Sequence, residues 1–188
     1  MKNAVTMMHL LLEPHIHAAS VLVDMTCGNG YDTLFLADRA APSARIYAFD
    51  IQQAAIEATR QRLARNGIAP SRVQLRQGSH DELLAELTDT PDIIIFNLGY
   101  LPNGNHAIHT ECATTAAAIK IGLNKVPKNG IIMIAAYPGT PDGAAENQTV
   151  YDLLCSVEQA AYDVSLWQPI NQIHRPPLLY LVQKRGYA

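Results

Sequence analysis

The stretch Val21-Leu22-Val23-Asp24-Met25-Thr26-Cys27-Gly28-Asn29-Gly30 decides the fold class of this chain. A short apolar run that halts at a glycine turn reads as a buried strand feeding a loop. Tyr31 to Ala40, just beyond, carries Leu34, Phe35 and Ala37 in helical register. Strand, glycine turn and helix make the first half of a crossover unit, the connection that parallel strands require.

The alternation continues outward. Arg45 to Asp50 predicts a second strand and Ile51 to Asn66 a helix with Ala54, Ala55, Ala58 and Leu63 on its apolar side, stopped at Asn66-Gly67. Strands are expected at Arg72 to Arg76, Asp92 to Phe96 and Gly130 to Tyr137, and helices at His80 to Leu87, Thr110 to Leu123 and Asp142 to Ala161. Ahead of them, Val5, Met8, Leu11, Leu12 and Ile16 predict an opening helix, or two short ones interrupted at Pro14. Two last strands, Asp163 to Gln168 and Leu178 to Lys184, have no helix between them. The expected fold is α/β: a mostly parallel seven-stranded sheet with helices on both faces and an antiparallel C-terminal edge hairpin.

At 188 residues the chain has room for one domain, expected over 1–188 with 1–20 as an N-terminal helical segment. With 48% apolar and 16% charged residues it is too apolar for a disordered tail. Its net charge of −3 argues against a protein that coats DNA. Cys27, Cys112 and Cys155 are odd in number and widely spaced, as in a reduced cytoplasmic protein. The start has no signal-peptide layout and no apolar run approaches a membrane span, so no membrane partner is expected.

In an open doubly wound sheet, ligands bind beyond the carboxyl ends of the strands. Gly28-Asn29-Gly30 lies at one such end and Asp50, twenty residues past Gly30, at the next, where a carboxylate can accept both hydroxyls of an adenosine ribose. A dinucleotide fingerprint needs a third glycine where Thr33 stands, and Asp24 would face a pyrophosphate. S-adenosylmethionine has no phosphate and carries two cationic groups, so these acids favour it over NAD. Asn97-Leu98-Gly99-Tyr100 ends the most apolar strand. An amide oxygen and the following carbonyl there can accept hydrogen bonds from an amine and aim its lone pair at a methyl group, with Tyr100 packing on the substrate.

These pieces, together with Phe49-Asp50-Ile51-Gln52, Ser79-His80, Leu101-Pro102 and Tyr137-Pro138-Gly139, resemble a small methyltransferase family first labelled rRNA methylase, whose assigned members are MnmM-type tRNA methyltransferases. The resemblance covers nearly the whole chain. It implies a Rossmann-like S-adenosylmethionine-dependent enzyme that converts 5-aminomethyl-2-thiouridine at the tRNA wobble position to its 5-methylaminomethyl form. Carried over by residue, the loop Cys27, Gly28, Asn29, Asp32 and Thr33 would hold the methionine portion, while Asp24 is expected at the cofactor for the attraction of its charge to the two cationic groups. Asp50 and Gln52 would hold ribose and adenine, and Ser79 and His80 would flank the adenine. Asn97, Leu98 and Tyr100 would face the target amine. The chain departs from the family at Met25, Tyr31, Asn103 to His106 and Thr140, which bear on the acceptor more than on the cofactor.

Two other readings stay open: the same cofactor with another RNA base, a protein or a small amine as acceptor, and an NAD-dependent oxidoreductase, which Thr33 and Asp24 disfavour. His106 and His109 are candidates for a base or an RNA contact, but two histidines without a third ligand make a poor zinc site and no metal is expected. Cys27 reads as a small packing residue rather than a nucleophile. Five arginines and no acid between 58 and 80, and Arg175, Lys184 and Arg185 with no acid after 163, are equally a patch for a tRNA anticodon loop and an ordinary solvated surface. The length leaves no room for an appended RNA-binding domain, so a homodimer is expected to supply that surface.

Overall fold

A computed structural model describes residues 3–99 and 110–186. Tyr100, His106 and His109 lie outside the described residues. Seven strands form one sheet: β1 (Val21–Asp24), β2 (Arg45–Asp50), β3 (Val73–Gln77), β4 (Ile93–Asn97), β5 (Ile131–Ala136), β6 (Tyr162–Trp167) and β7 (Leu178–Lys184). Their order is β3-β2-β1-β4-β5-β7-β6, parallel from β3 through β5 and antiparallel where β7 pairs with β5 and β6. The expected sheet and its antiparallel edge are both present.

Period-two alternation divides the core between the two faces. Leu22, Ile46, Ala48, Ile93, Ile95, Ile131 and Met133 face one side and pack with α1 (Ala4–Ile16), α2 (Tyr31–Arg39) and α3 (Gln53–Arg65). Val21, Val23, Phe49, Ile94, Phe96, Ile132 and Ile134 face the other and meet α4 (His80–Glu86), α5 (Cys112–Lys125) and α6 (Pro141–Cys155). Strands buried on both faces are the reason these segments read as unbroken apolar runs.

Several boundaries differ from the sequence reading. The opening segment is one helix, capped by the Asn3 side chain on the Thr6 amide at 2.8 Å; Pro14 sits in its last turn, where the helix is about to end. Helix α6 stops at Cys155 instead of running to Ala161. The Ser156 amide donates to the Leu153 and Leu154 carbonyls and its hydroxyl to Leu153 at 2.7 Å, and the Glu158 carbonyl then turns the chain into β6. Helix α3 is rotated relative to expectation: Ala54 is exposed and Ala58 half-buried, while Ala55, Ile56, Thr59 and Leu63 face inward. The rotation follows from Thr59, which donates to the Gly28 carbonyl at 3.1 Å and lies against Gly30.

Candidate active site

The sheet order reverses direction between β1 and β4, and their carboxyl ends make the crevice where a ligand binds in such sheets. The loop after β1 spans it. The Met25 amide donates to Ile95 and the Cys27 amide to Phe49, so the loop is tied to both neighbouring strands at 2.8 to 2.9 Å. Gly28 and Gly30 have positive φ of 49° and 78°, which turns the backbone into α2. Arg62 braces the loop from α3, donating from Nε to the Asn29 carbonyl at 2.5 Å while its guanidinium stacks 3.4 Å from the Tyr31 ring centroid.

Asp50 accepts the Gly28 amide at 2.9 Å through one oxygen and the Gln52 amide at 2.9 Å through the other, bracing the loop as well as ending β2. Burial pushes its carboxyl above the ordinary value despite these bonds. Ser79 is hydrogen-bonded to Asp81 at the start of α4. His80 is buried, its ring edge-on to Phe96, and burial lowers its pKa below the usual imidazole value. Its Nε2 has no hydrogen-bond partner among the described residues. A buried, unsatisfied nitrogen beside Asp50 is an opening for a polar ligand edge, and it fits the adenine expected there.

Asp24 and Thr33, expected at the cofactor, lie beneath the loop at 1% and 0% exposure. Their polar atoms are spent on each other, Thr33 donating to Asp24 at 2.6 Å, and on the Thr26 amide, 3.1 Å from the same carboxylate. Desolvation, with the Asp32 charge behind it, raises the Asp24 carboxyl to about 7. Cys27 is buried as expected of a packing residue, and the same desolvation pushes its thiol far up, away from nucleophilic use.

At the end of β4, the Asn97 amide donates to Thr26 Oγ1 at 2.7 Å and its side-chain Nδ2 to Asp32 Oδ2 at 3.2 Å. Leu98 is buried and its amide donates to Ala135. Gly99 and Thr110 are joined twice, through the Thr110 amide on the Gly99 carbonyl and the Gly99 amide on Thr110 Oγ1, both 2.9 Å. Thr110 and Thr115 both donate to the buried Glu146 of α6, at 2.8 and 2.7 Å.

Three residues given no role by the sequence reading belong to this site, two of them, Thr26 and Tyr137, within stretches that it singles out. Thr26 holds the Asn97 backbone. Tyr137 is hydrogen-bonded to the Asn97 side chain, with burial and the Asp32 charge raising its hydroxyl to about 12. His9 of α1 places Nε2 2.7 Å from Asp32 Oδ1. A lone histidine among the apolar positions of an opening helix offers no signal of this.

The basic stretches are largely taken up by the fold. Arg72 donates to the carbonyls of Ala40, Ala41, Pro42 and Ala44, Arg60 pairs with Glu57 and Arg76 lies over Tyr47. Arg185 pairs with Asp163, and Lys184 donates to the Val126 carbonyl. Arg65 and Arg175 remain exposed.

Residues 46–183 match the family model described as "Putative rRNA methylase". The chain belongs to this family. The methyltransferase superposes on a "putative rRNA-methylase" from Clostridium thermocellum with a TM-score of 0.93 and 33% identity, covering 98% of each chain. It is likewise similar to a "putative methyltransferase" from Streptococcus mutans solved with SAH: TM-score 0.87, 35% identity, 98% of this chain and 99% of that one. A relative from Arabidopsis thaliana named "tRNA (mnm(5)s(2)U34)-methyltransferase, chloroplastic" is 29% identical over 194 residues, 98% of this chain and 71% of its own. The fold of the methyltransferase is thus the Rossmann-like one. No helix among its described residues is long and apolar enough to cross a membrane.

Proposed function

We propose that this enzyme methylates the primary amine of 5-aminomethyl-2-thiouridine at the wobble position of tRNA. S-adenosylmethionine is its cofactor and supplies, when bound, an electrophilic methyl on a sulfonium. The observation that carries the reading is the attachment of Asn97 to Thr26 of the loop after β1 at 2.7 Å and to Asp32, in the first turn of α2, at 3.2 Å, which sets the expected acceptor residue against one of the expected cofactor residues. The glycine loop and Asp32 hold the methionine end, Asp50 and Gln52 the ribose and adenine, and Ser79 and His80 flank the adenine. The Asn97 side-chain oxygen and the Leu98 carbonyl accept from the amine and orient its lone pair, with Tyr100 against the base.

Neither group is a base, so the chemistry on this reading is mainly positioning, an effect worth about 7 to 11 kcal/mol in favourable intramolecular cases. An alkylammonium must still lose a proton before it attacks, and exclusion of water favours its neutral form. The partner is the anticodon loop, and a homodimer belongs to the same reading.

The test is nucleoside mass analysis of tRNA from a strain lacking the gene. Loss of the 5-methylaminomethyl form with accumulation of the 5-aminomethyl form is expected; an unchanged level removes this substrate. Asn97→Ala should abolish turnover and spare cofactor binding.

A further inference from the structure

The two ends of an asparagine amide have nearly the same shape, and only their partners decide which way the oxygen points. Asp32 makes that decision for Asn97, whose side chain has the Tyr137 hydroxyl as a second partner. A carboxylate accepts and does not donate, so the end of the amide facing Asp32 Oδ2 at 3.2 Å is Nδ2, and Oδ1 is turned away from it.

Asp32 is held in turn. It is 6% exposed, in the first turn of α2, and its second oxygen lies 2.7 Å from His9 Nε2. Facing a carboxylate, Nε2 is the nitrogen that carries the proton. The imidazole cannot readily swing away: it stacks on Phe35 with centroids 3.7 Å apart and 4° between planes, and the Arg39 guanidinium lies 4.4 Å from the same Phe35 ring centroid. Each carboxylate oxygen therefore receives one donor, His9 from α1 and Asn97 from β4.

We propose that His9 and Asp32 form the positioning chain of the methyl-acceptor site: His9 holds Asp32, and Asp32 holds the Asn97 amide with its oxygen presented to the incoming amine. The proposal rests on the reading of Asn97 as the group that orients that amine. Presented this way, Oδ1 accepts an amine N–H and leaves the nitrogen lone pair available for attack. A flipped amide would offer Nδ2 to that lone pair and tie up the nucleophile. In this chain of contacts His9 acts through Asp32.

The test measures kcat and KM of the full-length enzyme on tRNA carrying 5-aminomethyl-2-thiouridine at saturating S-adenosylmethionine, with cofactor affinity measured separately by calorimetry. His9→Leu should lower kcat about ten-fold at saturating cofactor, the loss of one hydrogen bond to a charged group. His9→Gln, which returns an N–H donor at similar reach, should restore most of it. Asp32→Asn keeps the shape but offers a donor end as well, so it should lower kcat even when the cofactor is saturating. Wild-type kcat in His9→Leu, or equal losses in the Leu and Gln variants, would overturn the chain. Should the Leu variant not fold, wild-type kcat in Asp32→Asn overturns it. Asn97→Ala separates the two levels: full turnover there removes the reading of Asn97 and the chain with it, whereas an inactive Asn97→Ala beside a fully active His9→Leu removes the chain alone.

Discussion

Thr33 donates its hydroxyl to the Asp24 carboxylate at 2.6 Å, with both side chains sealed from solvent beneath the loop after β1. The bond lowers the Asp24 pKa, but burial and the neighbouring Asp32 charge outweigh it and hold the carboxyl near 7, above its ordinary 3.8.

A raised carboxyl makes a definite prediction. The folded state binds the proton more tightly than the unfolded chain, so the contribution of Asp24 to stability is complete below about pH 4 and is lost as pH rises to about 7. Asp24→Asn cannot ionise. Its melting temperature, relative to wild type, should therefore be higher at about pH 8 than at about pH 5. A difference independent of pH would contradict the raised pKa.

Asp50 serves the loop and the expected ribose together. Asp50→Ala leaves the Gly28 and Gln52 amides without their acceptor. Cofactor affinity should fall by at least about ten-fold, since bonds to charged acceptors contribute about 1.5 to 3 kcal/mol each. Isothermal calorimetry with S-adenosylmethionine reads this directly.

Gly30 is required twice over. Its φ is 78°, and a Cβ there would stand 2.8 Å from the Thr59 Cα, a backbone atom of α3. Gly30→Ala should cost about 2 to 4 kcal/mol from left-handed strain and overpacking combined, as read by urea denaturation.

Arg72 tests the meaning of the basic stretch. Its guanidinium ties together the carbonyls of Ala40, Ala41, Pro42 and Ala44, the turn between α2 and β2. Arg72→Ala should lower stability by about 2 to 3 kcal/mol. Among molecules that remain folded, the salt dependence of tRNA affinity should not change, because this cation neutralises carbonyl dipoles and not phosphates. Filter binding at two salt concentrations distinguishes the outcomes.

Much of the fold was legible because the signals are local. A strand buried on both faces must be apolar throughout, as Ile93-Ile94-Ile95-Phe96 is, and a glycine turn before a helix marks the end of β1. The sequence pattern runs α6 on past its end because the stop at Ser156 depends on carbonyl bonding at the last turn and not on a glycine or proline. The sequence pattern turns Ala54 and Ala58 of α3 inward together with the buried Ala55, because the rotation of the helix is set by Thr59 against Gly28 and Gly30, some thirty residues away.

The sequence by itself determined the α/β alternation, the strand-end positions of Asp50 and Asn97, and the family likeness carried by the glycine loop and the Asn97 tetrapeptide. Only the tertiary structure decided which polar groups meet. It sent Asp24 and Thr33 beneath the loop, spent most of the clustered cations on carbonyls, rings and acids, and brought His9 of the opening helix to Asp32. The physical reason is the range of the interactions: periodicity and turn chemistry are written within a few neighbouring residues, whereas a hydrogen bond between α1 and α2, or between α2 and β4, exists only once the sheet has brought those elements together.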